Sequence, residues 1–175
     1  MKENPAVNRA KLVDEPIVEM LLSRRFLKSG MKFMKADIQS DFNGTDIVCY
    51  FNGIKRNLNV KRNSSKYFDS PNFTITLDKS KISQYKDTMF IFIDEVADSL
   101  YIVDGDQLFT YILSKSSKLR PTKKENVFFL VMPKSDIISL VSSKDRIIKY
   151  NKNIARLFET GRSEEQFRGL CEIGG

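Results

Sequence analysis

The sequence predicts a mixed α/β fold, with a β-sheet covered by helices. Three observations predict it. Short apolar or alternating runs recur between turn signals from residue 31 to residue 132. Runs of helical period stand before, among and after them. An Asn52-Gly53 pair joins two of the runs as a tight hairpin. A length of 175 residues suits one domain, 1–175, with its core over roughly 8–134 and a C-terminal helical extension over 135–175.

The elements follow in order. Residues 8–29 have helical character and end at Gly30, a glycine suited to the left-handed turn that closes a helix. Pro16 marks either an early break or the true first turn. Met31 to Ile38 suggests a strand, and Asp41-Phe42-Asn43-Gly44 a turn. Strands near 46–51 and 54–61 form the hairpin, and 63–71 is a polar loop. Phe73 to Leu77 is a short strand and Lys79 to Tyr85 a helical turn. Residues 88–95 and 99–104 read as strands, and 106–115 as a short amphipathic helix. A basic loop over 116–125 precedes a strand at Val127 to Met132 and a short helix from Ser135 to Val141. From Ser143 to about Cys171 the period is helical, and the sheet is expected to be covered by helices.

Composition excludes several chemistries. There is no histidine, which removes Ser-His-Asp and Cys-His triads and histidine-based zinc sites. Two cysteines, Cys49 and Cys171, make no framework, which points to a reducing compartment. No apolar run approaches the length needed to cross a bilayer, and the polar N-terminus has no signal core. The expectation is a cytoplasmic protein with no membrane partner. Hydrophobic residues at 41% and charged residues at 29% fit a globular chain, and the net charge of +7 is compatible with a polyanion such as DNA or RNA.

The hairpin carries the candidate chemistry. A type I′ turn at Asn52-Gly53 sets Phe51 opposite Ile54, and counting outward sets Asp46 opposite Asn59. Lys61 lies two residues on and shares that face. An Asp oxygen and an Asn oxygen can hold Mg²⁺ or Mn²⁺, and a neighbouring lysine can orient water or offset developing charge. An ordinary exposed hairpin with polar ends carries the same three residues, and the hairpin alone favours that ordinary reading. In the upstream helix Val18, Leu21, Leu22 and Phe26 form one apolar face. Glu19 stands at the edge of that face, about 20° from Phe26 at about 100° per residue. It could reach the sheet end near Asp46, with Glu15 as a competing acid.

Together these segments resemble the PD-(D/E)xK, or restriction-endonuclease-like, nuclease superfamily. The resemblance rests on Glu19, Leu22, Phe26-Leu27 and Gly30, then Asp41-Phe42-Asn43-Gly44-Thr45-Asp46-Ile47-Val48, then Leu58-Asn59-Val60-Lys61-Arg62. It covers roughly residues 15–62 well and the later strands loosely. It implies a restriction-endonuclease-like core of helix, three-stranded meander, helix and strand: a central mixed β-sheet with an N-terminal antiparallel meander, flanked by helices. It implies metal-dependent hydrolysis of phosphodiester bonds, Asp46 as first metal carboxylate, Lys61 as catalytic lysine and Glu19 as helix acid. Two departures stand out: Thr45 replaces a frequent proline, and Asn59 replaces the second acidic residue. The second leaves open a relative that binds nucleic acid or a protein without cutting. DNA stands ahead of RNA as substrate, and such enzymes often act as homodimers. Lys55, Arg56, Arg62 and Lys66 are the expected phosphate contacts, with Tyr67 and Phe68 beside them. The basic run Lys115–Lys124 is either a backbone-tracking loop or a linker.

Overall fold

The computed structural model describes residues 14–26, 32–35, 47–51, 53–62, 72–150 and 153. In order these form α1 (Glu15–Arg25), β1 (Lys32–Lys35), β2 (Ile47–Phe51), β3 (Ile54–Arg62), β4 (Asn72–Asp78) and a 3-10 helix (Lys79–Asp87). There follow β5 (Thr88–Asp94), β6 (Ser99–Asp104), α2 (Gly105–Ser114), β7 (Arg120–Pro121), β8 (Val127–Pro133), α3 (Lys134–Leu140) and β9 (Ile147–Lys149). Pro16 lies in the first turn of α1, where its missing N–H costs no helical hydrogen bond. Glu15 at that end and Arg24 and Arg25 at the other complement the helix dipole.

Six strands form one mixed sheet in the order β1-β2-β3-β5-β6-β9. The first three make the expected antiparallel meander. β3 and β5 then pair in parallel, with Leu58 beside Met89 and Lys61 beside Phe92. A parallel neighbour cannot be reached by a tight turn, so the chain leaves the sheet between them and returns. On that excursion it builds β4, which joins β8 and β7 in a second, antiparallel sheet.

At β5 and β6 the main sheet is buried on both sides. On one side Ile17, Val18, Leu21 and Leu22 of α1 pack with Ile47, Cys49, Leu58, Ile91, Ile93 and Leu100. On the other, Phe73, Ile75 and Leu77 of β4 and Leu130 and Met132 of β8 pack on Phe90, Phe92, Tyr101 and Val103. α2 and α3 close this second core with Leu108, Ile112 and Ile137. Every residue of β5 is buried, because it faces α1 on one side and the second sheet on the other.

Helices flank the sheet as expected, and a second, three-stranded sheet joins α2 and α3 on one face. One expectation changes. Residues 147–149, expected inside a helical extension, instead form β9 and pair with Ser99 to Tyr101 of β6. Their Ile-Ile pair suits a half-buried edge strand as well as a helix, and pairing with β6 decides it. Of the residues after Tyr150 only residue 153 is described, so the rest of the expected extension lies outside the described residues, as do 8–13 and 27–30 of the expected first helix.

Candidate active site

The hairpin forms in the register the Asn-Gly pair dictates. Phe51 pairs with Ile54, Tyr50 with Lys55, Cys49 with Arg56, Val48 with Asn57 and Ile47 with Leu58. Gly53 takes φ +77°, the left-handed conformation this turn demands and L side chains rarely adopt. The next rung would take in Asp46, which lies outside the described residues, as does Asn52.

Alternation along β3 separates two faces. Leu58 and Val60 turn toward α1 and its core. Asn59 and Lys61 therefore turn to the other face, where their lateral neighbours on β5 are Phe90 and Phe92. Asn59 is buried, at 6% exposure, and Lys61 is half-buried. Asn59 is engaged by a contact of its own, while among the described residues its buried Oδ1 atom meets no hydrogen-bond donor.

Glu19 sits half-buried on α1, beside the buried arc of Ile17, Val18, Leu21 and Leu22. That arc lies on the Leu58 side of the sheet, so α1 does not lean over the Asn59–Lys61 face. The competing Glu15 is half-buried in the first turn of the same helix.

The basic residues expected around the site are dispersed. Lys55 and Arg56 are exposed, but they lie near the hairpin turn. At about 3.3 Å per residue the strand carries Lys55 about 20 Å from Lys61. Arg62 is not a solvent-facing cation. Its Nε and Nη2 donate to both oxygens of Asp14 at 2.9 and 2.7 Å, its Nη1 to Glu95 at 2.5 Å, and Nη2 also to the Tyr150 hydroxyl at 3.2 Å. Its side chain is 10% exposed. Burial alone would weaken the charge, but Asp14 and then Glu95 outweigh it and hold the guanidinium more firmly protonated than usual. Arg62 thus ties α1 to the ends of β5 and β9. Lys66, Tyr67 and Phe68 lie outside the described residues.

The structure adds a group that the sequence reading missed. Asp94 ends β5 on the same face as Phe92, one step beyond the neighbour of Lys61. It is 2% exposed, yet satisfied. Lys134 Nζ lies 2.8 Å from Oδ2, the Tyr101 hydroxyl donates to the same oxygen at 3.0 Å, and the Ala97 N–H donates to Oδ1 at 3.2 Å. Burial, and then the neighbouring carboxylate, push the Tyr101 hydroxyl up to about 12. An acid closing the apolar run Thr88 to Ile93 was the available signal.

The donor set admits part of a divalent-metal site. Asn59 Oδ1 is a hard, neutral oxygen of the kind Mg²⁺ or Mn²⁺ accepts. Among the described residues no group of three His, Cys, Asp or Glu could hold a metal, and the expected carboxylate, Asp46, lies outside them. Among the described residues no helix is long and apolar enough to cross a membrane.

No family model and no curated protein matches the chain. Among solved structures, D212, a nuclease from a fusselovirus, superposes with a TM-score of 0.50 at 12% identity, over 90% of this chain and 94% of its own. Hjc, a Holliday junction resolvase from the archaeal hyperthermophile Archaeoglobus fulgidus, gives a TM-score of 0.38 at 14% identity, over 83% and 93%. The likeness to D212 is one of fold, and nothing further is drawn from the weaker superposition on Hjc.

Proposed function

We propose that the chain is a metal-dependent nuclease that hydrolyses phosphodiester bonds in DNA, of restriction, repair or phage type and PD-(D/E)xK arrangement. One observation carries the reading. Alternation sets Asn59 and Lys61 on one face of β3, and continuing the β2–β3 pairing one residue before Ile47 would bring Asp46 opposite Asn59. The fold shared with a solved viral nuclease supports it.

Asp46 would supply a charged oxygen and Asn59 Oδ1 a neutral one to Mg²⁺ or Mn²⁺, with Glu19 as a further carboxylate. When bound, such a cation polarises a phosphate and lowers the pKa of coordinated water. Lys61 then has two tasks of its own. Its ammonium orients the attacking water, and it offsets negative charge growing on the phosphate oxygens. Asn59 brings no negative charge, and this favours a second reading, a nuclease fold that binds nucleic acid or a protein without cleaving.

The test is Mn²⁺-supplemented cleavage of single- and double-stranded DNA. Asp46→Ala and Lys61→Ala are each expected to cut at least about 100-fold more slowly while unfolding like the parent. Unchanged cleavage in both variants would rule out this site. Asn59→Asp is expected to bind Mn²⁺ more tightly by calorimetry, since it adds a charged ligand. A parent that neither cuts nor takes up Mn²⁺ at millimolar concentration favours the second reading.

A further inference from the structure

The basic run Lys115–Lys124 is not a linker. Lys115 caps α2, Ser116–Lys118 form a 3-10 turn, and Arg120–Pro121 become β7 at the edge of the second sheet. The Thr122 hydroxyl donates to the Val127 carbonyl at 2.9 Å and closes the hairpin into β8. The run is therefore built onto a rigid surface, with Lys118, Arg120, Lys123 and Lys124 exposed and no acid among residues 115–124.

The sheet they border has an inner and an outer face. Phe73, Ile75, Leu77, Leu130 and Met132 fill the inner one. Alternation turns Thr74, Thr76, Phe129 and Val131 outward. Thr74 and Thr76 are exposed, Val131 is 39% exposed, and Phe129 is half-buried and belongs to neither core cluster. One rung runs Thr76, Phe129, Arg120 straight across the three strands. A phenyl ring on the middle strand thus lies between a threonine and a guanidinium, and the segments flanking β7 carry the exposed Lys118, Lys123 and Lys124.

We infer that this outer face docks a single strand of nucleic acid, with an unpaired base stacked on Phe129 and phosphates held by Arg120, Lys118, Lys123 and Lys124. Charge complementarity selects a polyanion. The ring selects an unpaired base, because a flat face offers stacking to any exposed base, whereas a duplex keeps its bases stacked on each other. The inference deepens the nuclease reading and rests on it for the choice of DNA. The surface lies on the far side of the second sheet from the main sheet, about 10 Å further out by the usual spacing of packed sheets. It is therefore a docking face separate from Asn59 and Lys61.

The experiment is fluorescence anisotropy of the full chain with labelled oligo(dT) and with a duplex of equal length, in EDTA so that no cleavage occurs. The chain is expected to prefer the single strand. Phe129→Ala is expected to weaken binding by about 5- to 100-fold at constant salt. A Lys123→Ala, Lys124→Ala double variant is expected to lower the slope of log K against log salt by about 1.4, at about 0.7 per lost phosphate contact. Phe129→Leu serves as a second variant that keeps apolar area without an aromatic face, and it should weaken binding too. Oligonucleotide binding unchanged by Phe129→Ala and Phe129→Leu overturns the inference. So does a concentration-dependent dimer, seen by sedimentation, that Phe129→Ala abolishes while oligo(dT) binding persists. Because EDTA removes cleavage, failure here leaves the Asp46 and Lys61 tests untouched, and their failure leaves this surface untouched.

Discussion

Arg62 shows how a residue can look like a surface cation in the sequence and behave as an interior one. Its partners Asp14, Glu95 and Tyr150 lie far from it along the chain, so no local pattern announces them. Removing it would leave two buried or half-buried carboxylates facing each other. Arg62→Ala is therefore expected to destabilise the fold by about 3–5 kcal/mol, read from the urea midpoint. A cost near zero would mean that the guanidinium is solvated in solution. Alkaline pH probes a different set of groups. Burial pushes the Cys49 thiol from 9.0 to about 11, with Arg56 opposing weakly, and burial pushes Tyr150 up to about 12. Both folded values lie above the unfolded ones, so the native state prefers the protonated forms. Their contribution is fully present below the unfolded pKa values and is lost as pH rises through the folded ones. Urea midpoints should hold steady to about pH 9 and then fall toward pH 12. At about pH 8 the Cys49 thiol should resist a thiol reagent until the chain unfolds.

At the scale of elements, Gly105 decides how α2 leaves β6. A Cβ there would meet the Tyr85 carbonyl oxygen at 1.6 Å and the Thr88 carbonyl oxygen at 2.3 Å, both backbone atoms that cannot swing aside. Gly105→Ala is expected to cost about 1–3 kcal/mol by forcing the 3-10 helix away from α2. A melting temperature equal to the parent's would show that this junction yields freely. The hairpin was legible in the sequence to the residue, because an Asn-Gly turn leaves one register open. The same counting correctly kept Leu58 with the core and Asn59 with Lys61. The second sheet was not legible. Its strands were recognisable, but Thr74 finds Val131 across the whole of β5, β6 and α2, and strand periodicity says nothing about such partners. Nor could the helix wheel show that α1 packs on the face away from Lys61, since it gives a buried arc and no sheet side.

Across the whole molecule β5 is the shared wall of two cores. Ile91 and Ile93 enter the one beneath α1, and Phe90 and Phe92 the one beneath β4 and β8. Phe92 meets Phe73 edge to face, with ring centroids 5.4 Å apart, and this contact joins the two sheets. Phe92→Ala is expected to cost about 3–5 kcal/mol. Because both cores share the strand, calorimetric and van't Hoff enthalpies should still agree for the variant. Two separated transitions would show that the layers melt independently.

The excursion between β3 and β5 carries a further meaning for how the molecule assembles. The connection that lets these strands run side by side contains β4, a strand of the other layer. Neither layer can therefore be synthesised and completed before the other has begun. As the chain emerges from the ribosome, β4 waits for β8 with its apolar side uncovered, and this interval is when the nascent polypeptide is most exposed to wrong partners.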